Sequence, residues 1–288
     1  MSRDILERAK VRKNDEFYTR IEDVAEEVKD AAAFFRGKRV LCDCDGSDSA
    51  FFKYFRENFE TLGLASLTVR GFDESGSEGF EYVRDKQGSA SRTIPKADAD
   101  FRNSNSSDFD VVCTNPPFSL FREYFGRLVS SGVGFLVVGN QNMTMASAIY
   151  PRFVDGSVRL GNHKIKRFRT PGGGEAIFGN IRWFTNLKYE DKRPILQTTG
   201  LNFDPNRTYD NVPAIDCPKL SQIPRDFDGV LGVPLTFLEK RSEDFEIVVW
   251  NGIEWTKEWR TGCVDGRNGV YLKGVETYKR VFIRRRRQ

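Results

Sequence analysis

The chain has 288 residues, enough for one large domain, or one domain with a smaller annex, to bury a full core without covalent staples. Charged residues make up 30% and are interleaved, with a net charge of only +4, so the protein is no polycation; this balance permits a nucleic-acid partner without demanding one. Five cysteines without CxxC spacing and a single histidine, His163, argue against a zinc site and a disulfide framework, so no metal is expected and the expected compartment is a reducing cytoplasm.

Met1 to Lys10 is charged and lacks the apolar core of a signal peptide, and no apolar run approaches the length of a membrane span, so no membrane partner is expected. Ile21, Val24, Ala25, Val28 and Ala32 recur at helical spacing and predict a helix over Ile21 to Phe35, ended by Gly37. Arg39 to Cys42 reads as the first strand and Asp43 to Ser49 as a polar loop. An aromatic-rich helix, Phe51 to Phe59, follows. Ser66 to Phe72 reads as the second strand with Asp73 at its end, and the Gly-, Ser- and charge-rich stretch Glu74 to Ser91 as a hairpin or loop. Phe109 to Cys113 is a strand that runs into Thr114-Asn115-Pro116-Pro117, followed by a helix, Leu120 to Val129, and a strand, Gly134 to Val138.

Strands alternating with helices at these intervals predict an α/β fold with an open, largely parallel sheet, whose ligand crevice lies at the carboxyl ends of the strands. After about Gly139 helices fade and short alternating runs take over, as in Ile181 to Thr185, Glu246 to Trp250 and Tyr278 to Ile283. Gly139 to Asn186 reads as the end of the sheet plus an insertion. The expected division is a domain over residues 1–186 and a β-rich C-terminal annex over residues 187–288. The tail Arg284 to Arg287 is either a solvated terminus or a phosphate contact.

Asn115-Pro116-Pro117-Phe118 carries the clearest chemistry. An amine conjugated with a ring is a poor nucleophile, and two acceptors placed at its N–H bonds return electron density to nitrogen. The Asn115 side-chain carbonyl and the Pro116 backbone carbonyl supply two such acceptors, held in one direction by the two prolines. Phe118 is placed to stack on a planar substrate. Methyl transfer from a sulfonium donor would then rest on positioning and electrostatics, with no covalent enzyme intermediate. A plain turn is the competing reading of the four residues, and their position between a strand and a helix at the expected crevice favours the catalytic one. Methylation of cytosine C5 would need a cysteine nucleophile, which no Pro-Cys pair supplies; Cys113 is expected to be a small core residue.

A methyl donor needs a turn after the first strand and an acid after the second. Asp43-Cys44-Asp45-Gly46 supplies the turn with one glycine rather than a glycine-rich run, and Asp43 and Asp45 could meet the methionine ammonium. The competing reading is a polar loop capping the next helix, where Asp48 or Ser49 would cap well. Asp73 could accept from ribose hydroxyls or be a solvated loop acid. Asp100 and Phe101 could contact the cofactor adenine, and Thr19 could be either a cofactor contact or the N-cap of the helix from Ile21.

Taken together, the chain resembles the EcoRI-type adenine-specific DNA methyltransferases over nearly its whole length. The resemblance rests on Asn14-Asp15-Glu16-Phe17-Tyr18-Thr19, Cys44-Asp45 with Phe51 to Phe55, Asp100-Phe101-Arg102, and above all the block Val111 to Tyr124. Gly139-Asn140, Trp183-Phe184-Thr185-Asn186 and Phe227 to Leu238 also match. It implies a class I, Rossmann-like methyltransferase sheet with a family-specific C-terminal part that is a candidate for DNA target recognition. It further implies S-adenosyl-L-methionine as cofactor, with Tyr18, Thr19, Asp43, Cys44, Asp45, Asp73, Asp100 and Phe101 as candidate contacts. The implied product is N6-methyladenine in double-stranded DNA, made on a base flipped out of the stack. Phe118 is implied to stack on that base, with Trp183 or Phe184 as its other wall or as a core aromatic. A cognate restriction endonuclease is a possible partner, and an orphan or phage setting the other. The family turn after the first strand holds more acid and a tryptophan than Gly46 to Ala50 does here.

Lys164-Ile165-Lys166-Arg167-Phe168-Arg169 is the best basic patch with interleaved aromatics and leads into Pro171-Gly172-Gly173-Gly174. Lys166 and Arg167 are candidate contacts to the DNA backbone, against the alternative of a solvated hairpin tip. Trp250, Trp255 and Trp259 read as annex core. Methylation of RNA or of protein amides and a catalytically inert DNA-binding module are the rival functions.

Overall fold

The computed structural model describes residues 18–72, 78–170, 174–198, 205–225, 227–248, 270–277 and 279–286. The described residues fall into two compact units, one within Met1–Met143 and Leu160–Asp191, the other within Thr144–Arg159 and Lys192–Gln288. The segment Thr144–Arg159 therefore goes with the C-terminal unit rather than with the chain on either side of it.

The first unit is built on nine described strands: β1 (Tyr18–Thr19), β2 (Arg39–Asp43), β3 (Ser66–Phe72), β4 (Gly79–Arg84), β5 (Ser89–Ile94), β6 (Val111–Thr114), β7 (Gly134–Asn140), β8 (Arg159–Arg169) and β9 (Glu175–Thr185). They form one sheet in the order β1-β8-β9-β7-β6-β2-β3-β4-β5. Only its middle is parallel, β3 to β2, β2 to β6 and β6 to β7. The flanks β3-β4-β5, β7-β9 and β1-β8 run antiparallel. The expectation of a largely parallel sheet is corrected accordingly: the stretch read as a hairpin or loop is the β4-β5 hairpin, and the presumed insertion after Gly139 supplies two eleven-residue strands of the same sheet.

Burial explains which strands pair in parallel. All four residues of β6 are buried and so are the five central residues of β7, the pattern of strands covered on both faces. β5 at the edge is exposed at five of six positions. Helices α1 (Ile21–Asp30), α2 (Ala50–Glu57) and α3 (Phe121–Ser131) belong to this unit. In α3, Phe121, Tyr124, Phe125 and Leu128 are buried at helical spacing, and Gly132, left-handed at φ 69°, ends it. The helix expected to reach Phe35 breaks at Ala31 and resumes as a short turn, Ala32–Phe35. Fully buried Glu27 ties α1 to β8, accepting from the backbone N–H groups of Asn162 (2.9 Å) and His163 (2.8 Å). His163 Nε2 lies 2.9 Å from Asp30 Oδ2, so the single histidine belongs to this clasp.

In the second unit, α4 (Tyr150–Val154) accompanies a described four-stranded sheet of order β10-β11-β15-β12, where β10 is Ile215–Asp216, β11 Leu231–Pro234, β12 Phe245–Ile247 and β15 Arg280–Arg285. β13 (Val270–Leu272) and β14 (Val275–Thr277) form a separate hairpin. Arg284 and Arg285 of the arginine tail lie in β15, paired with Glu246 and Phe245 of β12, and Arg286 after it is exposed. Trp250, Trp255 and Trp259 lie outside the described residues. Among the described residues no helix is long and apolar enough to cross a membrane, and no group of three or more His, Cys, Asp or Glu is placed to hold a metal ion.

Candidate active site

β2 and β6 are parallel neighbours, so the loop after one and the turn after the other meet at the same edge of the sheet. Thr114, the last residue of β6, joins them. Its hydroxyl donates to Asp45 Oδ2 at 2.6 Å and also lies in close contact with the Asp43 carbonyl. The Asp45 N–H donates to the Arg70 carbonyl of β3 at 2.9 Å, which presses the loop against that strand. A Cβ on Gly71 would fall 2.4 Å from the Asp45 carbonyl oxygen, and one on Gly46 2.8 Å from the Phe72 oxygen. The close approach that a glycine-rich loop would allow is thus shared with a glycine of the neighbouring strand. Cys44 sits between the two acids at φ 84°, the left-handed region that non-glycine residues seldom adopt.

Asp43 and Asp45 are both buried, and Ser49 caps α2 by accepting from the Phe52 N–H at 3.0 Å. Asp48 is engaged by Lys53. Neither Asp43 nor Asp45 is therefore spent as the helix cap. Burial pushes the Asp43 carboxyl up to about 7, against Arg70, Ser104 and Arg127 beside it. Burial also pushes Asp45 up to about 7, although Thr114 and Ser49 work the other way. The Tyr124 hydroxyl is buried and finds no hydrogen-bond partner among the described residues, and Asp43 Oδ1 and Ser104 Oγ are buried beside each other without a well-aligned hydrogen bond. Burial, together with Asp43, Cys44 and Asp45 nearby, holds the Tyr124 phenol well above its usual range. Each such orphaned group costs about 1–3 kcal/mol unless a ligand or water completes it.

Phe101 is buried and meets Tyr124 edge-on, with centroids 5.0 Å apart. The Asp100 carboxylate accepts from the Arg102 N–H (3.0 Å) and from Arg102 Nε (2.9 Å). Thr19 is buried and pairs with Phe168, while its hydroxyl has no hydrogen-bond partner among the described residues. The capping position of α1 is Arg20, with no side-chain cap, so Thr19 is not the helix N-cap. Tyr18 is 44% exposed on the edge strand. Asp73 and the residues Asn14 to Phe17 lie outside the described residues.

Asn115 Oδ1 is buried, and the Pro117 carbonyl is taken by the Leu120 N–H at 2.9 Å. Among the described residues no backbone N–H donates to the Pro116 carbonyl. Phe118 is half-buried and stands edge-on to Phe168 at 6.3 Å, and Phe168 in turn packs on Phe178 at 5.7 Å.

Trp183 and Phe184 are corrected as candidate base walls. Both are fully buried and project to opposite faces of β9. Trp183 packs on Phe51 at 5.8 Å, and Phe184 on Phe121 at 5.0 Å and Phe125 at 6.2 Å. In this packing neither ring keeps a face for a substrate. Lys166 and Arg167 are exposed on β8, where Arg167 pairs with Glu175 at 3.3 Å. Pro171 to Gly173 lie outside the described residues.

Sequence reasoning missed Thr114, Gly71, Ser104, Tyr124 and Phe168. Tyr124 had a readable signal, a phenol three residues after Phe121 on the apolar face of a helix; Gly71 and Ser104 had none.

The large mixed sheet is consistent with a methyltransferase. The chain belongs to a family described as "Adenine-specific methyltransferase EcoRI", whose model matches residues 5–109 and 91–286. It is 32% identical to the type II methyltransferase M.EcoRI of Escherichia coli, over 98% of this chain and 97% of that one. It is 33% identical to the type II methyltransferase M.MgeORF184P of Mycoplasma genitalium, over 84% of each. M.MpnI of Mycoplasma pneumoniae, also a type II methyltransferase, is 31% identical over 97% of each. No solved structure matches the chain significantly. The chain is a site-specific, adenine-specific methyltransferase, and its family implies a methyl donor.

Proposed function

We propose that the protein methylates N6 of an adenine flipped out of double-stranded DNA, with S-adenosyl-L-methionine as donor, in the cytoplasm and as part of a restriction-modification or orphan modification system. The observation that carries this reading is the Asn115-Pro116 turn, set beside two buried carboxyls at the ends of neighbouring parallel strands. The parallel order β3-β2-β6-β7 with antiparallel β9 beside it supports a class I, Rossmann-like assignment.

The cofactor, when bound, supplies an electrophilic methyl group on a sulfonium. The residues present fit its amino-acid end: among the described residues Asp43 Oδ1 and the hydroxyls of Tyr124 and Ser104 are buried without a well-aligned hydrogen bond. In this reading Asp43 accepts from the ammonium, with Asp45 behind it fixed by Thr114, and the two hydroxyls donate to the carboxylate. Phe101, which lies against Tyr124, and Asp100, Thr19 and Tyr18 are the further candidates for holding the cofactor.

Asn115 Oδ1 and the Pro116 carbonyl accept the two N–H bonds of the target amine and hold its lone pair toward the methyl group. Phe118 stacks on the base, braced edge-on by Phe168. Lys166 and Arg167 on β8 meet the phosphate backbone, and the C-terminal unit takes part in target recognition.

Single-molecule sequencing of DNA from a host lacking other methylases, with and without the protein, tests the function. N6-methyladenine in one short sequence context is expected. Unmodified DNA together with methylated RNA or protein would overturn the reading.

A further inference from the structure

β7 runs on past the last residue of β6. Thr114 pairs with Val137, so Val138, Gly139 and Asn140 continue beside the point where Asn115-Pro116-Pro117-Phe118 leaves the sheet. On its other side Asn140 pairs with Ile181 of β9, next to Asn180. Asn140 and Asn180 are both half-buried. The Asn142 N–H donates to Asn140 Oδ1 at 2.9 Å, and Asn180 Nδ2 donates to the same oxygen at 3.1 Å. A backbone N–H must meet an oxygen, so the first contact fixes which way round the Asn140 amide stands. With its oxygen taken twice, the amide keeps its NH2 group for other use, and that group finds no acceptor among the described residues.

The place of this donor follows from β9. Phe178 and Asn180 are two apart on the strand and share a face. Phe178 packs on Phe168 at 5.7 Å, and Phe168 meets Phe118 edge-on at 6.3 Å. The linked amides thus stand on the face that leads to Phe118, at the edge of the sheet where Asn115 lies. In adenine the amine N6 stands between two ring acceptors, N1 and N7. Asn115 and Pro116 offer acceptors alone, so they test for an amine, which cytosine also carries, and leave the ring nitrogens unaddressed.

We propose that Asn140 is a specificity-determining residue whose Nδ2 donates to a ring nitrogen beside the target amine, with Asn180 holding its amide in place. The proposal rests on the reading of the site as one for adenine N6 in DNA. The added contact fixes the base in its own plane, so that the amine meets the methyl group in line.

Single-turnover methylation of duplexes carrying adenine, 1-deazaadenine or 7-deazaadenine at the target position tests it. The wild type is expected to lose about tenfold in rate or affinity on one analogue, the size typical of one hydrogen bond, and which analogue it is tells N1 from N7. Asn140→Asp keeps the oxygen that accepts from Asn142 and Asn180 and removes the donor. It is expected to be about tenfold slower on adenine, with no further loss on the analogue that slows the wild type, and with the thermal midpoint and S-adenosylmethionine affinity near wild type. Asn140→Ser, which keeps a capping oxygen without an amide, is expected to behave alike. A wild type equally active on all three bases overturns the proposal, whether or not the variants fold. So does a variant that loses on the analogue by the same factor as the wild type, since the missing partner is then another group. In either case methylation of adenine leaves the function standing; a wild type that methylates no adenine duplex overturns the function, and with it the proposal.

Discussion

Two buried carboxylate sites are treated in opposite ways, Asp216 in the second unit and the Asp43–Asp45 pair in the first. Asp216 in the second unit is 2% exposed and saturated: Tyr209 donates to Oδ1 at 2.7 Å, Arg280 to Oδ1 at 2.8 Å and Arg207 to Oδ2 at 2.6 Å. Burial opposes its charge, yet these three donors hold the carboxyl below its usual range. Asp43 and Asp45 in the first unit are as deeply buried, and burial wins, raising both to about 7. A buried acid with all its donors is scaffolding. In the proposed reading, the Asp43 oxygen left without a well-aligned donor is a place kept for a ligand.

The comparison predicts which substitutions harm folding and which harm turnover. The largest effect is expected at Asn115. Asn115→Ala should cut the methyl-transfer rate by about a hundred- to a thousandfold, the loss typical of one preorganised polar group at a reacting centre, while leaving cofactor affinity and the urea midpoint near wild type. Substantial turnover would remove Asn115 from the chemistry. Asp216→Ala should do the reverse and destabilise the fold by about 3 kcal/mol, because it strands Arg280 and Arg207 against each other. Urea unfolding measures this, and a loss equal to that of Asp43→Asn would erase the distinction between the two sites.

The two sites also differ in the sign of their pH dependence. A carboxyl raised to about 7 in the folded protein holds a proton that the unfolded chain, at 3.8, has lost. Asp43 and Asp45 therefore lower stability as pH climbs from about 4 to 7, and no further above that. Asp216, depressed when folded, contributes stability above 3.8 that is lost as pH falls below it. A cationic ligand needs the carboxylate form. Affinity for S-adenosylmethionine should therefore fall by up to about tenfold per pH unit below 7 for each proton bound, with proton release on binding in that range. Calorimetry in buffers of different ionisation enthalpy reads both, and a flat profile from pH 5.5 to 8 would mean that neither acid faces the cofactor.

What the sequence disclosed follows the same divide. β3 is read to the residue, and the strand read as Phe109 to Cys113 is found one or two residues on, at Val111–Thr114, because both depend on local apolar patterning. Trp183 and Phe184 looked available because a strand shows its two faces but not what covers them; here Phe51 covers one ring and Phe121 with Phe125 the other. β8 was hidden by its own chemistry, since Lys164 to Arg169 is mostly charged and its two buried residues, Ile165 and Phe168, are three apart and so break strand alternation. Asp43 and Asp45 were found as acids, but the burial that raises them, and the Ser104 and Tyr124 hydroxyls brought beside Asp43 from sixty and eighty residues further along the chain, are matters on which a linear reading is silent.

The smallest expected effect concerns the missing glycines of the first loop. Cys44 occupies a left-handed conformation that costs a non-glycine residue roughly 1 kcal/mol. Nothing in the loop requires its thiol for hydrogen bonding, and burial holds that thiol well above its usual range, so it is no ready nucleophile. Cys44→Gly relieves the backbone but gives up the buried side chain and adds freedom to the unfolded chain, so the terms nearly cancel. The expected change in stability is within about 1 kcal/mol, with cofactor affinity retained. Cys44→Val, branched at Cβ and forced into the same φ, should lose both stability and cofactor affinity, since the loop can relax only by withdrawing Asp43 or Asp45 from Thr114. Equal behaviour of the glycine and valine variants in thermal unfolding and cofactor titration would show that the left-handed turn at Cys44 does not hold the acids in place.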